Sequence, residues 1–226
     1  MIALMGTLPR IADLPATVHL LAVELFLLLP ETILPMVLTD PEVSELVEAL
    51  AAEGGYVGFA QPRRHEAGRE ASSKFYDVGC LGRIRSIERN DDGLHVTFEG
   101  TVRFRLRELL PPDGEDGLPR VRTDYREFAQ DLDDVEEDLA GWDLEKIKGA
   151  LLQIGQRQSP NDLTALEAKP PRQIIRMMAQ TVPFAPAEKQ ALLEARTFRD
   201  LLELLFQLLA VNFLTTTPDA PQPQVN

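Results

Sequence analysis

The apolar residues of this chain recur with two different periods, and the change falls at a dense run of acids. Before that run, Leu94, Val96 and Phe98 alternate with His95, Thr97 and Glu99. Val102, Phe104 and Leu106 then alternate with Arg103, Arg105 and Arg107. A period of two places one set of side chains on each face of a half-buried strand. After the run, Leu144, Ile147, Leu151 and Ile154 recur at helical spacing, as do Ile174, Ile175, Met178 and Val182. Strands followed by helices in one chain specify an α+β protein.

Punctuation refines the strand half. Asn90-Asp91-Asp92-Gly93 is a tight turn in which glycine can adopt positive φ, so the segment from Leu81 to Arg89 pairs with the strand that begins at Leu94. Gly100 reads as a bulge or corner separating two further strands. Val23 to Leu29, Ile33 to Leu38 and Tyr56 to Ala60 are short, apolar, strand-like segments bounded by proline or glycine. One helix interrupts them, from Pro41 to about Ala52. Asp40 caps it, Val43, Leu46, Val47 and Leu50 form its apolar stripe, and Gly54-Gly55 stops it.

The second half reads as a series of helices. Asp143, Pro171 and Pro186 open three of them, and Thr197 with Asp200 caps a long apolar helix running to about Phe213. The expected organisation is a β-rich unit over 1–125, an acidic connector over 126–141, a helical unit over 142–214 and a disordered Thr/Pro/Gln tail over 215–226.

Charge narrows the function classes. The chain carries 23 basic and 36 acidic residues, a net of −13, which repels phosphate backbones and anionic membranes. Residues 113–145 hold thirteen acids and three bases, so most of the excess is local. No calcium-loop spacing organises these acids, including the cluster Asp131, Asp133, Asp134, Glu136, Glu137 and Asp138, so they read as a solvated connector. The stretch from Arg63 to Arg107 is the basic exception. There, Arg103, Arg105 and Arg107 share a strand face beside Arg83 and Arg85. That face is either an anion-binding surface or an ordinary outer sheet face, which would be paired with the acidic connector. The apolar runs Leu20 to Leu29 and Leu201 to Leu214 are too short to span a bilayer, and a cytoplasmic, non-membrane protein is expected.

Catalytic signatures are missing. There is no phosphate loop, dinucleotide loop, nucleophile elbow or Ser-x-x-Lys setting. His19, His65 and His95 have no partner fixed by spacing. Cys80 reads as a small buried hydrophobe, although Arg83 and Arg85 would lower its pKa if they lay beside it. Catalytic, cofactor-binding and metal-ligating residues are all assigned as none, and the substrate-binding residues stay unknown.

The order of several segments carries a family resemblance. The run Phe26 to Met36 with its Pro30 and Pro35, followed by Asp40-Pro41-Glu42, resembles the opening of the N-terminal, substrate-binding domain of Lon proteases. Tyr56 to Ala60 is similar to the family's next strand, Tyr76 to Ile84 to its Val-Gly strand, and Phe98 to Phe104 to its Glu-Gly-x-x-Arg-Phe turn. These matches cover residues 22–110, and Pro183 to Leu193 resembles the helical extension of stand-alone bacterial members. Glu31 stands where the family usually has glycine, so the link between the first strands is expected to differ in conformation.

The resemblance implies a PUA-like, partly closed β-barrel (a pseudobarrel) followed by a C-terminal α-helical subdomain. The ATPase module and the Ser–Lys peptidase region of a full-length Lon protease have no counterpart in the sequence. The implied role is therefore non-enzymatic: binding protein or peptide segments, unfolded ones included, as an adaptor. RNA binding through the arginine face is the alternative, opposed by the net charge. Leu28, Pro30, Pro35, Met36, Phe59 and Tyr76 are candidates for a groove wall, but apolar strand residues more often fill the core, and none is assigned.

Overall fold

The computed structural model describes residues 9–24, 26–52, 54–63, 74–112, 118–133, 142–149 and 169–215, the last four of these by backbone only. Its six strands are β1 (Thr17–Ala22), β2 (Ile33–Leu38), β3 (Tyr56–Ala60), β4 (Val78–Asn90), β5 (Gly93–Leu110) and β6 (Arg120–Asp124). They form one sheet in the order β2-β5-β4-β3-β1-β6. Because β6 also pairs with the end of β5, from Arg105↔Asp124 to Leu110↔Arg120, five strands close into a ring and β2 lies outside it along the start of β5. The β1–β3 pair is parallel and the others are antiparallel. The partly closed barrel implied by the resemblance is thus a mixed ring of strands.

Two expectations about strands are corrected. The two strands placed on either side of Gly100 are one continuous strand, β5, because β4 is long enough to pair with both halves. Gly100 marks a bulge within it: Leu81 faces Val102 while Gly82 faces Gly100, leaving Thr101 as the extra residue. The apolar run Val23 to Leu29 is not a strand. The first strand precedes it, and Leu27, Leu28 and Leu29 are buried without joining the ladder.

That run leads into the turn that fastens β2 to the bulge. The Glu31 N–H donates to the Gly100 carbonyl at 2.8 Å, and the Gly100 N–H donates to the Thr32 carbonyl at 2.9 Å. The Thr32 hydroxyl donates to the Leu29 carbonyl at 2.7 Å. Glu31 has φ +63°, the left-handed region that favours glycine, so the chain keeps a glycine-type conformation without the glycine. Such a residue costs about 1–2 kcal/mol. Its carboxylate forms an ion pair with Arg176 across the junction with the helices.

The helices follow their sequence signals. In α1 (Pro41–Ala52), Asp40 Oδ1 accepts the N–H groups of Glu42 and Val43 at 2.9 and 3.2 Å, and Gly54 and Gly55 after it both have positive φ. Residues 144–149 are helical, with Asp143 accepting the Lys146 N–H at 3.1 Å. The continuation expected through Ile154 lies outside the described residues, as do 134–141 of the connector, 216–226 of the tail, and His65. Next come α2 (Pro171–Thr181), α3 (Pro186–Glu194) and α4 (Phe198–Thr215). Thr197 and Asp200 cap α4 reciprocally, at 3.0 and 3.1 Å.

Helices and ring share one core. Ile174 and Ile175 of α2, Leu192 and Leu193 of α3, and Leu202 and Leu205 of α4 are buried in the same cluster as Phe59, Phe98, Val102 and Phe104 of the strands. The outer edge of β2 is protected in two ways. Pro35 removes a donor at its centre, and Gln180 of α2 donates to the Ile33 carbonyl at 3.0 Å. Among the described residues no helix is long and apolar enough to cross a membrane.

At Gly100 a Cβ would sit 1.9 Å from the Leu29 carbonyl oxygen, so Gly100→Ala must push the turn off the bulge. The expected loss is about 3 kcal/mol in urea unfolding, whereas Gly54→Ala, with nothing within 4 Å, loses only its left-handed backbone preference.

Candidate functional site

β5 carries the arginine row Arg103, Arg105 and Arg107 on the side that faces the chain from β6 onward. Of the two readings of this face, the outer sheet face paired with nearby acids is the one observed: each arginine meets a carboxylate, Arg107 that of Asp124 at the end of β6 and the other two those of the chain that follows it. Arg105 grips Glu127, with Nε–Oε2 at 3.0 Å and Nη2–Oε1 at 2.6 Å. Arg107 reaches Asp124 at 2.8 Å. Asp124 is shared with Arg126, and hydrogen bonds from Arg126 first and Arg107 second hold its carboxyl well below the usual carboxylate range. On β4, Arg85 pairs with Glu99.

Arg103 goes further, because its side chain is buried. Its Nε and Nη2 donate to Asp131 Oδ2 and Oδ1 at 2.9 and 2.7 Å, and its own backbone N–H donates to Asp131 Oδ2 at 3.0 Å. Nη1 donates to the carbonyl of Leu193 at 3.1 Å and to that of Ala195. The guanidinium also lies 4.8 Å from the centroid of the Phe128 ring. Asp131, counted among the solvated acids in the sequence, is therefore the buried partner of a buried arginine. The signal was present but non-local. Arg103, Arg105 and Arg107 are spaced by two on a strand, while Asp131, Glu127 and Asp124 are spaced by four and three along the short 3-10 segment Arg126–Leu132, kinked at Phe128, and its lead-in.

This pairing leaves a cleft of about 880 Å³ between ring and helices. Val78 at the start of β4 and Phe128 lie at its base, each almost wholly buried. One wall is the Arg105–Glu127 pair with Gln130, and the other is the α3–α4 link with Glu194, Arg196, Thr197 and Arg199. The link is pinned by Arg103 and by Gln130, whose Nε2 donates to the Arg196 carbonyl at 3.4 Å. Gln190 ties the floor to the wall, donating to the Val78 carbonyl at 3.2 Å and to Glu194 Oε1 at 2.7 Å. Walls of both charge signs, with the aliphatic stems of long side chains between the charges, suit a chain segment of mixed composition.

The remaining sequence candidates lie elsewhere. Cys80 is buried and burial pushes its thiol pKa up, the opposite of an activated thiolate. His19 is partly buried in β1 and His95 contacts Asp92 at 2.8 Å. Leu28, Pro30 and Phe59 are buried, Pro35 is exposed on β2, and Met36 and Tyr76 are partly buried; none of the six lines the cleft. The described residues contain no cluster of histidine, cysteine and acids fit to hold a metal ion.

Fold and cleft together define an α+β module built as a strand ring joined to a helical layer across an open groove. The chain belongs to the family described as the ATP-dependent protease La (LON) substrate-binding domain, whose model matches residues 17–211. That domain is the substrate-binding, non-catalytic part of those proteases. The chain is 25% identical over 199 residues to Lon protease 2 of Syntrophobacter fumaroxidans, covering 84% of this chain and 24% of that protein. It is also 25% identical to the Lon protease of Methylocella silvestris, over 82% of this chain and 23% of that one. It thus spans about a quarter of the length of these curated relatives. Two solved structures share the fold: the Lon N-terminal domain protein of Xanthomonas campestris (TM-score 0.56, 20% identity, 86% of this chain and 97% of that chain) and the N-terminal domain of the Mycobacterium avium complex Lon protease (TM-score 0.54, 17% identity, 86% and 98%).

Breaking the buried pair should be costly. Arg103→Ala strands the Asp131 carboxylate and two helix-end carbonyls, and is expected to lose about 3–5 kcal/mol in urea unfolding. The double variant Arg103→Met/Asp131→Leu should recover much of that loss, because no charge is left buried; a double variant as unstable as Arg103→Ala alone would assign the loss to packing.

Proposed function

We propose that this chain is a polypeptide-recruiting module. In this reading the cleft between ring and helices takes segments of unfolded or regulatory proteins, and the chain works as an adaptor in the cytoplasm with no peptidase or ATPase activity of its own. The observation that carries the reading is the cleft itself: a pinned link, walls charged in both signs and aliphatic stems between the charges, in a chain of a substrate-binding family. We further take the β-rich unit over 1–125 and the helical unit over 142–214 to act as the two jaws, joined through 126–141. The arginine face offers little to RNA, since Arg103, Arg105 and Arg107 each already hold a carboxylate.

The test is a titration of the full chain against fluorescently labelled denatured casein and labelled single-stranded RNA at low and moderate salt. Casein binding that survives moderate salt is expected, and Gln130→Trp, which fills the cleft from its exposed rim, should weaken it about tenfold or more. Steeply salt-dependent RNA binding without affinity for casein would overturn the reading.

A further inference from the structure

Most of the charged groups that line the cleft are already committed. Arg105 and Glu127 hold each other through both carboxylate oxygens. Glu194 accepts from Gln190, and Arg199 is engaged as well. Arg196 differs. Its side chain is exposed on the cleft wall and has no carboxylate partner among the described residues. Its backbone, by contrast, is fixed on both sides. Arg103 holds the carbonyls of Leu193 and Ala195, Gln130 holds that of Arg196 itself, and the Thr197–Asp200 cap holds the next turn.

The fixed backbone sets the region of the cleft that the Arg196 guanidinium can reach, and the planar guanidinium can form two parallel hydrogen bonds with a carboxylate there. The same cleft offers apolar surface in the aliphatic stems of its long polar side chains, among them Arg105, Gln130 and Arg199, above the buried Val78 and Phe128. The cleft opens to solvent and is not an enclosed cavity, so an extended chain can pass across its mouth. We infer that the cleft selects internal polypeptide segments in which an acidic side chain neighbours an apolar one, the carboxylate meeting Arg196 and the apolar group resting against the aliphatic stems of the cleft's long side chains. This rests on the cleft being the polypeptide site. It runs against the net charge of −13, which by itself would favour basic segments.

The experiment uses short extended peptides, blocked at both ends, that carry a central Leu-Glu, Leu-Gln or Leu-Lys in an otherwise identical uncharged background, with binding to the full chain followed by fluorescence anisotropy. The Leu-Glu peptide should bind roughly three- to tenfold more tightly than Leu-Gln, the range of a charge-assisted pair at a partly exposed site. Arg196→Gln should abolish that preference and Arg196→Glu should invert it toward Leu-Lys, with melting temperatures unchanged because the side chain is exposed. Equal affinity for Leu-Glu and Leu-Gln, or a preference that survives in Arg196→Gln, overturns the inference while leaving polypeptide binding intact. A Leu-Gln peptide with a free C-terminal carboxylate that matches Leu-Glu would also overturn it, in favour of terminus recognition. Failure to bind either these peptides or denatured casein removes the functional reading and this inference together.

Discussion

The junction between ring and helices depends on one buried guanidinium. Arg103 sits on the strand shared by the ring and the β2 extension, yet it binds a carboxylate from the segment after β6 and two carbonyls at the end of α3. Removing a guanidinium and a carboxylate from water costs several kcal/mol per ion, and only close, bidentate geometry with further partners offsets that cost. Here the further partners are the two carbonyls at the C-terminal end of α3, where the helix dipole is negative and favours a cation. The interaction therefore fixes the position of α3 against the ring as well as neutralising two charges.

From that fixed point the cleft follows. The same contacts that satisfy Arg103 immobilise the α3–α4 link, and the link is one wall of the cleft. Glu127, four residues before Asp131, is brought opposite Arg105 by the same 3-10 helix and forms the other wall. The floor residue Phe128 lies under the Arg103 guanidinium. Stability and site geometry thus come from one set of atoms, and a substitution at Arg103 or Asp131 changes both.

Local signals in the sequence were legible and non-local ones were not. The Asp40 cap, the hairpin at Asn90 to Gly93, the openings at Pro171 and Pro186 and the Thr197–Asp200 cap each depend on residues within a few positions of one another, and each appears in the structure. The continuity of β5 through Gly100 depends on a partner strand, so local punctuation divided it. The run Val23 to Leu29 has strand composition, but Leu27, Leu28 and Leu29 fill the core from a non-ladder position that only tertiary packing decides. Both charge patterns behind the site were visible separately. What periodicity alone could not show is that the ring folds the segment after β6 back along β5, so that strand arginines at steps of two meet acids at steps of three and four.

The central claim is that this cleft, rather than another surface, receives polypeptide. Photo-crosslinking of a labelled unfolded polypeptide to the full chain, mapped by mass spectrometry, tests it most directly. Crosslinks are expected to concentrate at Glu127, Gln130 and the Glu194 to Arg199 link. Crosslinks concentrated on the exposed face of β2 at Ile33, Pro35 and Val37, or scattered over the surface, would contradict it.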